Sequence, residues 1–122
     1  MKYSNIQILV PTPMDSNATS AVVDCNQVIK LSLQSTITGS GTIGGSLQMQ
    51  VSNDLCPYGG ASASQFVPTN WSNLGSPITL STLGSNLTTQ QDFCYRWLRV
   101  VYTDSISDAT AILSANIMLL SI

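Results

Sequence analysis

Apolar residues recur at every second position along this chain, and no stretch repeats them at the helical spacing of about 3.6. Between Val28 and Thr38, Ile29, Leu31, Leu33, Ser35 and Ile37 share one side, while Val28, Lys30, Ser32, Gln34 and Thr36 share the other. The first set is nearly all apolar and is expected to face a core. Ser46–Ser52 is the cleanest amphipathic strand, with Leu47, Met49 and Val51 inward and Ser46, Gln48, Gln50 and Ser52 outward. Phe93–Thr103 sets Tyr95, Trp97, Arg99 and Val101 against Cys94, Arg96, Leu98, Val100 and Tyr102. Ala109–Leu120 sets Ala111, Leu113, Ala115, Ile117 and Leu119 against Ile112, Ser114, Asn116, Met118 and Leu120. Shorter strands are predicted at Ile6–Val10, Ala21–Cys25 and Ile78–Leu83.

The breaks between these strands have recognisable chemistry. Pro11-Thr12-Pro13 is expected to stop the first strand, since proline cannot donate to a sheet ladder. Glycines between Gly39 and Gly45 mark a turn, and Asn53-Asp54 ends the next strand. Leu55–Pro68 reads as a long surface loop, Gly75-Ser76-Pro77 as a turn after Trp71 and Leu74, and Gly84–Gln91 as a polar connection. Asp104–Asp108 is a turn before the last strand. Seven or eight short strands without a helix predict an all-β chain: a single antiparallel β-sandwich, or small jelly roll, over residues 1–122. Residues 1–20 are read as an extended N-terminal arm able to reach a neighbour. Neither a linker nor an internal repeat divides the chain.

Composition narrows the function classes. Only ten of the 122 residues are charged, His and Glu are absent, and Ser, Thr, Asn and Gln supply 46 residues. The surface is therefore largely neutral hydrogen-bonding groups, and a net charge of −2 gives little repulsion between copies. Four basic residues neutralise too few phosphates for a nucleic-acid binder. No apolar run approaches the roughly 18 residues of a membrane span, and Met1–Val10 is too short and interrupted for a signal sequence. Cys25, Cys56 and Cys94 are an odd, irregularly spaced set. They read as small hydrophobes in a reducing compartment, with Cys94 in the core.

Catalysis finds little material. Without His there is no usual general base, and the Asp residues lie at predicted turns, where their own backbone bonds account for them. The chain reads as a non-enzyme with no cofactor. Asp104-Ser105-Ile106-Ser107-Asp108 offers oxygens in one loop but alternates fewer acidic positions than a calcium loop, and no metal ligand is assigned. Aromatic rings at Tyr58, Trp71, Tyr95, Trp97 and Tyr102 suit a carbohydrate-binding module as the rival reading. Mid-strand Trp97 is expected to fill the core, which leaves Trp71 as the exposed candidate. Arg96 and Arg99 are expected on opposite strand faces, at least one of them paired with a carboxylate such as Asp54 or Asp92. The candidate interface residues are thus Tyr58, Trp71, Arg96 and Arg99.

Three segments, in order, carry a resemblance: Gly45-Ser-Leu-Gln-Met-Gln-Val-Ser-Asn-Asp54, Asn70-Trp71-Ser-Asn-Leu-Gly-Ser76, and Tyr95-Arg96-Trp97-Leu98-Arg99-Val100-Val101-Tyr102-Thr103. Together they resemble a pattern in small structural proteins of tailed bacteriophages, over roughly residues 40 to 120. The turn Asp104–Asp108 departs from that pattern by lacking glycine. The resemblance implies a discoidin-like β-sandwich used as a capsid decoration (cement) protein on the outer surface of an assembled shell. A fibre, tail or neck component is the neighbouring reading. The partners it implies are the major capsid protein and further copies of this chain, as a dimer or trimer. Its location would be the virion, assembled in the host cytoplasm.

Overall fold

The computed structural model describes residues 1–57, 66–88 and 91–122, with Asp108 and Ala109 described by backbone only. Its strands are β1 (Lys2–Met14), β2 (Ala18–Thr19), β3 (Val23–Asp24), β4 (Val28–Gly39), β5 (Ser46–Ser52), β6 (Ser72–Thr79), β7 (Gly84–Leu87), β8 (Gln91–Asp92), β9 (Trp97–Thr103) and β10 (Asp108–Ser121). They form two antiparallel sheets. The first runs β1-β10-β4-β7, with β8 also on β4; the second runs β2-β9-β5-β6, with β3 also on β9. Because β2 and β3 share one position beside β9, and β7 and β8 share one beside β4, the sandwich has eight strand positions. Counted along the chain, the first sheet holds the first, eighth, third and sixth, and the second sheet the second, seventh, fourth and fifth. That wrapped order is a jelly roll.

The core lies between the sheets. Ile8, Leu31, Leu33, Ile37, Leu113, Ala115 and Ile117 from the first sheet meet Leu47, Val51, Leu98, Val100 and Tyr102 from the second. β4 and β10 bury the alternate sets expected of them, Leu31 to Ile37 and Ala111 to Leu119. Glycine is required at two corners. Gly39 (φ +95°) and Gly45 (φ +98°) have left-handed backbone, and a Cβ there would run into the carbonyls of Thr110 and Thr103.

Several expectations are corrected. Residues 1–20 do not extend as an arm: Lys2–Met14 folds back along β10, with Ile6 opposite Ile117 and Pro13 opposite Ile112. The strand runs through both prolines because β1 is an edge, where a missing N–H costs the sheet little, and its register shifts near them. β6 starts at Ser72 and ends at Thr79, so the Gly75-Ser76-Pro77 turn lies inside a strand as a bulge. The connection Gly84–Gln91 contains β7 and the start of β8.

Candidate interaction surfaces

Polar groups and aromatics share the outer face of the second sheet. Leu98, Val100 and Tyr102 of β9 point into the core, which turns Trp97, Arg99 and Val101 outward. Trp97 is therefore buried as expected, but on this outer face and outside the cluster between the sheets. It is only 3 % exposed yet belongs to no core cluster, because Phe66 packs over it with ring centroids 5.5 Å apart. Its indole N–H donates to the Asp54 carbonyl at 3.1 Å. Trp71 is half-buried: its N–H donates to the Pro68 carbonyl at 3.1 Å, and the Arg99 guanidinium lies 4.3 Å from its ring centroid. That stacking is a cation–π contact. Arg99 Nε also donates to Gln50 Oε1 (2.8 Å), and Gln50 Nε2 to Asn73 Oδ1 (3.1 Å), so one polar row crosses β9, β5 and β6. Burial lowers the pKa of Arg99.

Arg96 precedes β9 and does not follow its alternation. Its Nε donates to Asp24 Oδ1 at 2.7 Å, which raises its pKa, and its guanidinium lies 4.7 Å from the Trp97 ring centroid. The partner is thus Asp24, brought alongside by the β3–β9 pairing, and neither Asp54 nor Asp92. Asp54 instead organises its own loop. Its Oδ2 accepts from the backbone N–H of Thr69 (2.8 Å) and Asn70 (2.9 Å), and its Oδ1 from Asn70 Nδ2 (3.0 Å). These bonds, with Asn70 the largest contributor, lower its pKa. Asp104 is held low mainly by the Ser107 backbone N–H, and its Oδ1 also accepts from Ile106 N–H. The acidic turn at Asp104 is therefore explained by its own backbone bonds. Among the described residues no three acidic or thiol groups cluster to hold a metal.

Of the four candidate interface residues, Trp71, Arg96 and Arg99 lie on or beside this face, while Tyr58 lies outside the described residues. The three cysteines divide. Cys25 is buried, Cys56 half-buried, and Cys94 exposed rather than in the core. Burial, followed by the nearby Asp24 charge, pushes the Cys25 thiol up to about 12.

The first sheet presents a different outer face. Register places Gln7, Asn116, Gln34 and Leu87 in one row across four strands. Asn5, Met118 and Ser32 form the next row, then Tyr3, Leu120, Lys30 and Asp92. Ser114, Thr36 and Ser85 lie on the other side, with the Thr36 and Ser85 hydroxyls 3.2 Å apart. Lys30 and Asp92 are the charges in these rows, side by side at one end. Met118 is 40 % exposed, Tyr3 71 % and Leu87 74 %. Met118 stands between two open depressions, one lined by Tyr3, Lys30 and Leu120, the other by Asn5, Gln34, Leu87 and Asn116. Period-two patterning identified the β4 and β10 residues of this face, but not Tyr3, Asn5, Gln7 and Leu87, nor that four strands would bring these side chains into register.

No protein-family model matches the sequence, and comparison with curated proteins finds no match.

Proposed function

We propose that this protein is a structural component of a virus particle: a capsid decoration protein that docks on the major capsid protein of an assembled shell and stabilises it. The observation that carries this reading is the outer face of the first sheet. Its central rows, from Asn5 through Met118 to Gln34 and Leu87, are amides, hydroxyls and exposed apolar side chains, and Lys30 and Asp92 stand side by side in the next row with Tyr3. Burying such a face desolvates almost no charge, so the penalty that makes buried ions expensive is small. Amides that both donate and accept can bond to a partner's backbone or side chains, and Met118 adapts to irregular contours.

Two further points support the reading. Double-sheet jelly rolls recur in viral capsid domains, although a fold alone does not decide function. The order of the three segments from Gly45 to Thr103 resembles that in small structural proteins of tailed bacteriophages. A dimer or trimer belongs to the same proposal, with the free side of edge strand β1 available to another copy. Repetition over a shell multiplies individually weak contacts.

Binding of labelled protein to empty shells of the parent virus tests this. Met118→Asp places a charge at the centre of the face and is expected to weaken binding about tenfold or more, with folding unchanged by circular dichroism. Unchanged binding by this variant, or no binding by the native protein, contradicts the proposal.

A further inference from the structure

Three connections meet at one end of the sandwich: Cys25–Gln27 between β3 and β4, Asn53 and the Pro68–Trp71 segment between β5 and β6, and Phe93–Arg96 between β8 and β9. Tyr95 and Asn53 stand between two clefts there. One, of about 320 Å³, is lined chiefly by Asn26, Gln27, Asn53, Tyr95 and Arg96; the other, of about 370 Å³, by Asn53, Asp54, Asn70, Ser72 and Tyr95. Each is large enough for a small-molecule subsite.

The charged groups at this end are already engaged inside the protein, although Asp54 keeps its negative charge at the edge of the second cleft. Arg96 is paired with Asp24, and Asp54 is satisfied by Thr69 and Asn70. What the clefts offer a ligand is neutral and pre-oriented. Asn53 Oδ1 accepts the Arg96 backbone N–H at 2.8 Å, which fixes the amide and leaves its Nδ2 to donate. Asn70 Nδ2 donates to Asp54, which fixes that amide the other way and leaves its Oδ1 to accept. Tyr95 lines both clefts; its hydroxyl makes no hydrogen bond among the described residues, and its ring rests on the core and is braced edge-on by Phe93 at 5.4 Å. Gln27 on the rim has φ +68° because it is the third residue of a tight turn closed by the Val28 N–H on the Cys25 carbonyl at 3.0 Å.

We propose that this end of the sandwich binds a neutral, hydroxyl-rich ligand, a hexose or N-acetylhexosamine unit of a glycan, around Tyr95. A sugar hydroxyl both donates and accepts, and the site supplies one fixed donor, one fixed acceptor and one hydroxyl that does either. The ring is half-buried against the core, and what it leaves exposed is apolar surface for the C–H face of the sugar. Tyr95, not Trp71, is the platform, because Arg99 already occupies a face of Trp71.

The proposal does not rest on shell binding, and its test separates the two. The full-length protein is applied to a printed array of neutral hexose and N-acetylhexosamine oligosaccharides, and the best binder is titrated by nuclear magnetic resonance. Binding is expected with a Kd tighter than about 1 mM. Asn53→Asp keeps the acceptor on Arg96 and loses the donor, and Tyr95→Phe loses only the hydroxyl. Each is expected to weaken binding about three- to tenfold while the thermal midpoint holds. Met118→Asp, on the outer face of the first sheet and outside both cleft linings, is expected to bind as the native protein does. A blank array with folded protein, or equal affinity of both cleft variants and the native chain, overturns the proposal.

Discussion

The cysteines show most directly how environment overrides residue type. Cys25 is sealed beneath the sandwich end and its thiol is held neutral, whereas Cys94 is exposed. An aromatic disulfide reagent is therefore expected to label Cys94 in the native protein and Cys25 only after unfolding. Fast native labelling of Cys25, read by peptide mass spectrometry, contradicts this. Cys25 also has a pH consequence. Its folded pKa of about 12 lies above the ordinary thiol value, and that of Tyr102, pushed to about 12 by burial and Asp104, lies above the ordinary phenol value. A raised acid binds its proton more tightly folded than unfolded, so its contribution is complete below the unfolded pKa and lost as pH rises towards the folded one. The thermal midpoint is expected to fall from about pH 9 upward, and Cys25→Ala to flatten part of that fall. Asp54 and Asp104, both lowered, act with the opposite sign: their contribution is present at neutral pH and lost only in acid, as pH drops through the carboxylate range.

Elements hold surprises where one side chain does a strand's work. Gln48 was expected outward on β5, and it is outward, yet it is only 9 % exposed. The reason is the bulge in β6: between the pairs Leu47–Ile78 and Met49–Leu74, the single residue Gln48 faces Gly75, Ser76 and Pro77. Gln48 Nε2 donates to the carbonyls of Met49, Leu74 and Gly75, replacing ladder bonds that the bulge removes. Its Oε1 is left without a partner among the described residues. Gln48→Leu is expected to lower stability by about 1–3 kcal/mol in denaturant titration, and a neutral result contradicts the bracing role. This is also where sequence legibility ends. Alternation in β4, β5 and β10 gave the core faces, because burial on one side of a strand is a local, period-two property. The bulge was not legible, since Gly75-Ser76-Pro77 looks identical in a turn and in a kinked edge strand. Nor was the covering of Trp97, which depends on Phe66 arriving from thirty-one positions away.

At the scale of the molecule, the jelly roll joins the chain ends: β1 lies along β10, with Lys2 opposite Ser121. The sandwich class was legible because turns and alternation are local, whereas the splitting of two strand positions into short pairs, which makes ten strands, and the pairing of first strand with last are not. Such long-range pairing implies slow folding, on the millisecond-to-second scale or longer. It also sorts the surface into distinct regions. The first sheet carries a nearly neutral outer face around Met118, the second a face whose tryptophans are occupied by Arg99, Arg96 and Phe66, and the loop end carries the Tyr95 clefts. The shell-binding account assigns the first of these to the capsid. Its most direct test is the copy number of this chain in purified particles, measured by quantitative mass spectrometry against the major capsid protein. The account predicts a fixed ratio to the shell subunit, on the order of hundreds of copies per particle; a handful per particle, or none, contradicts it.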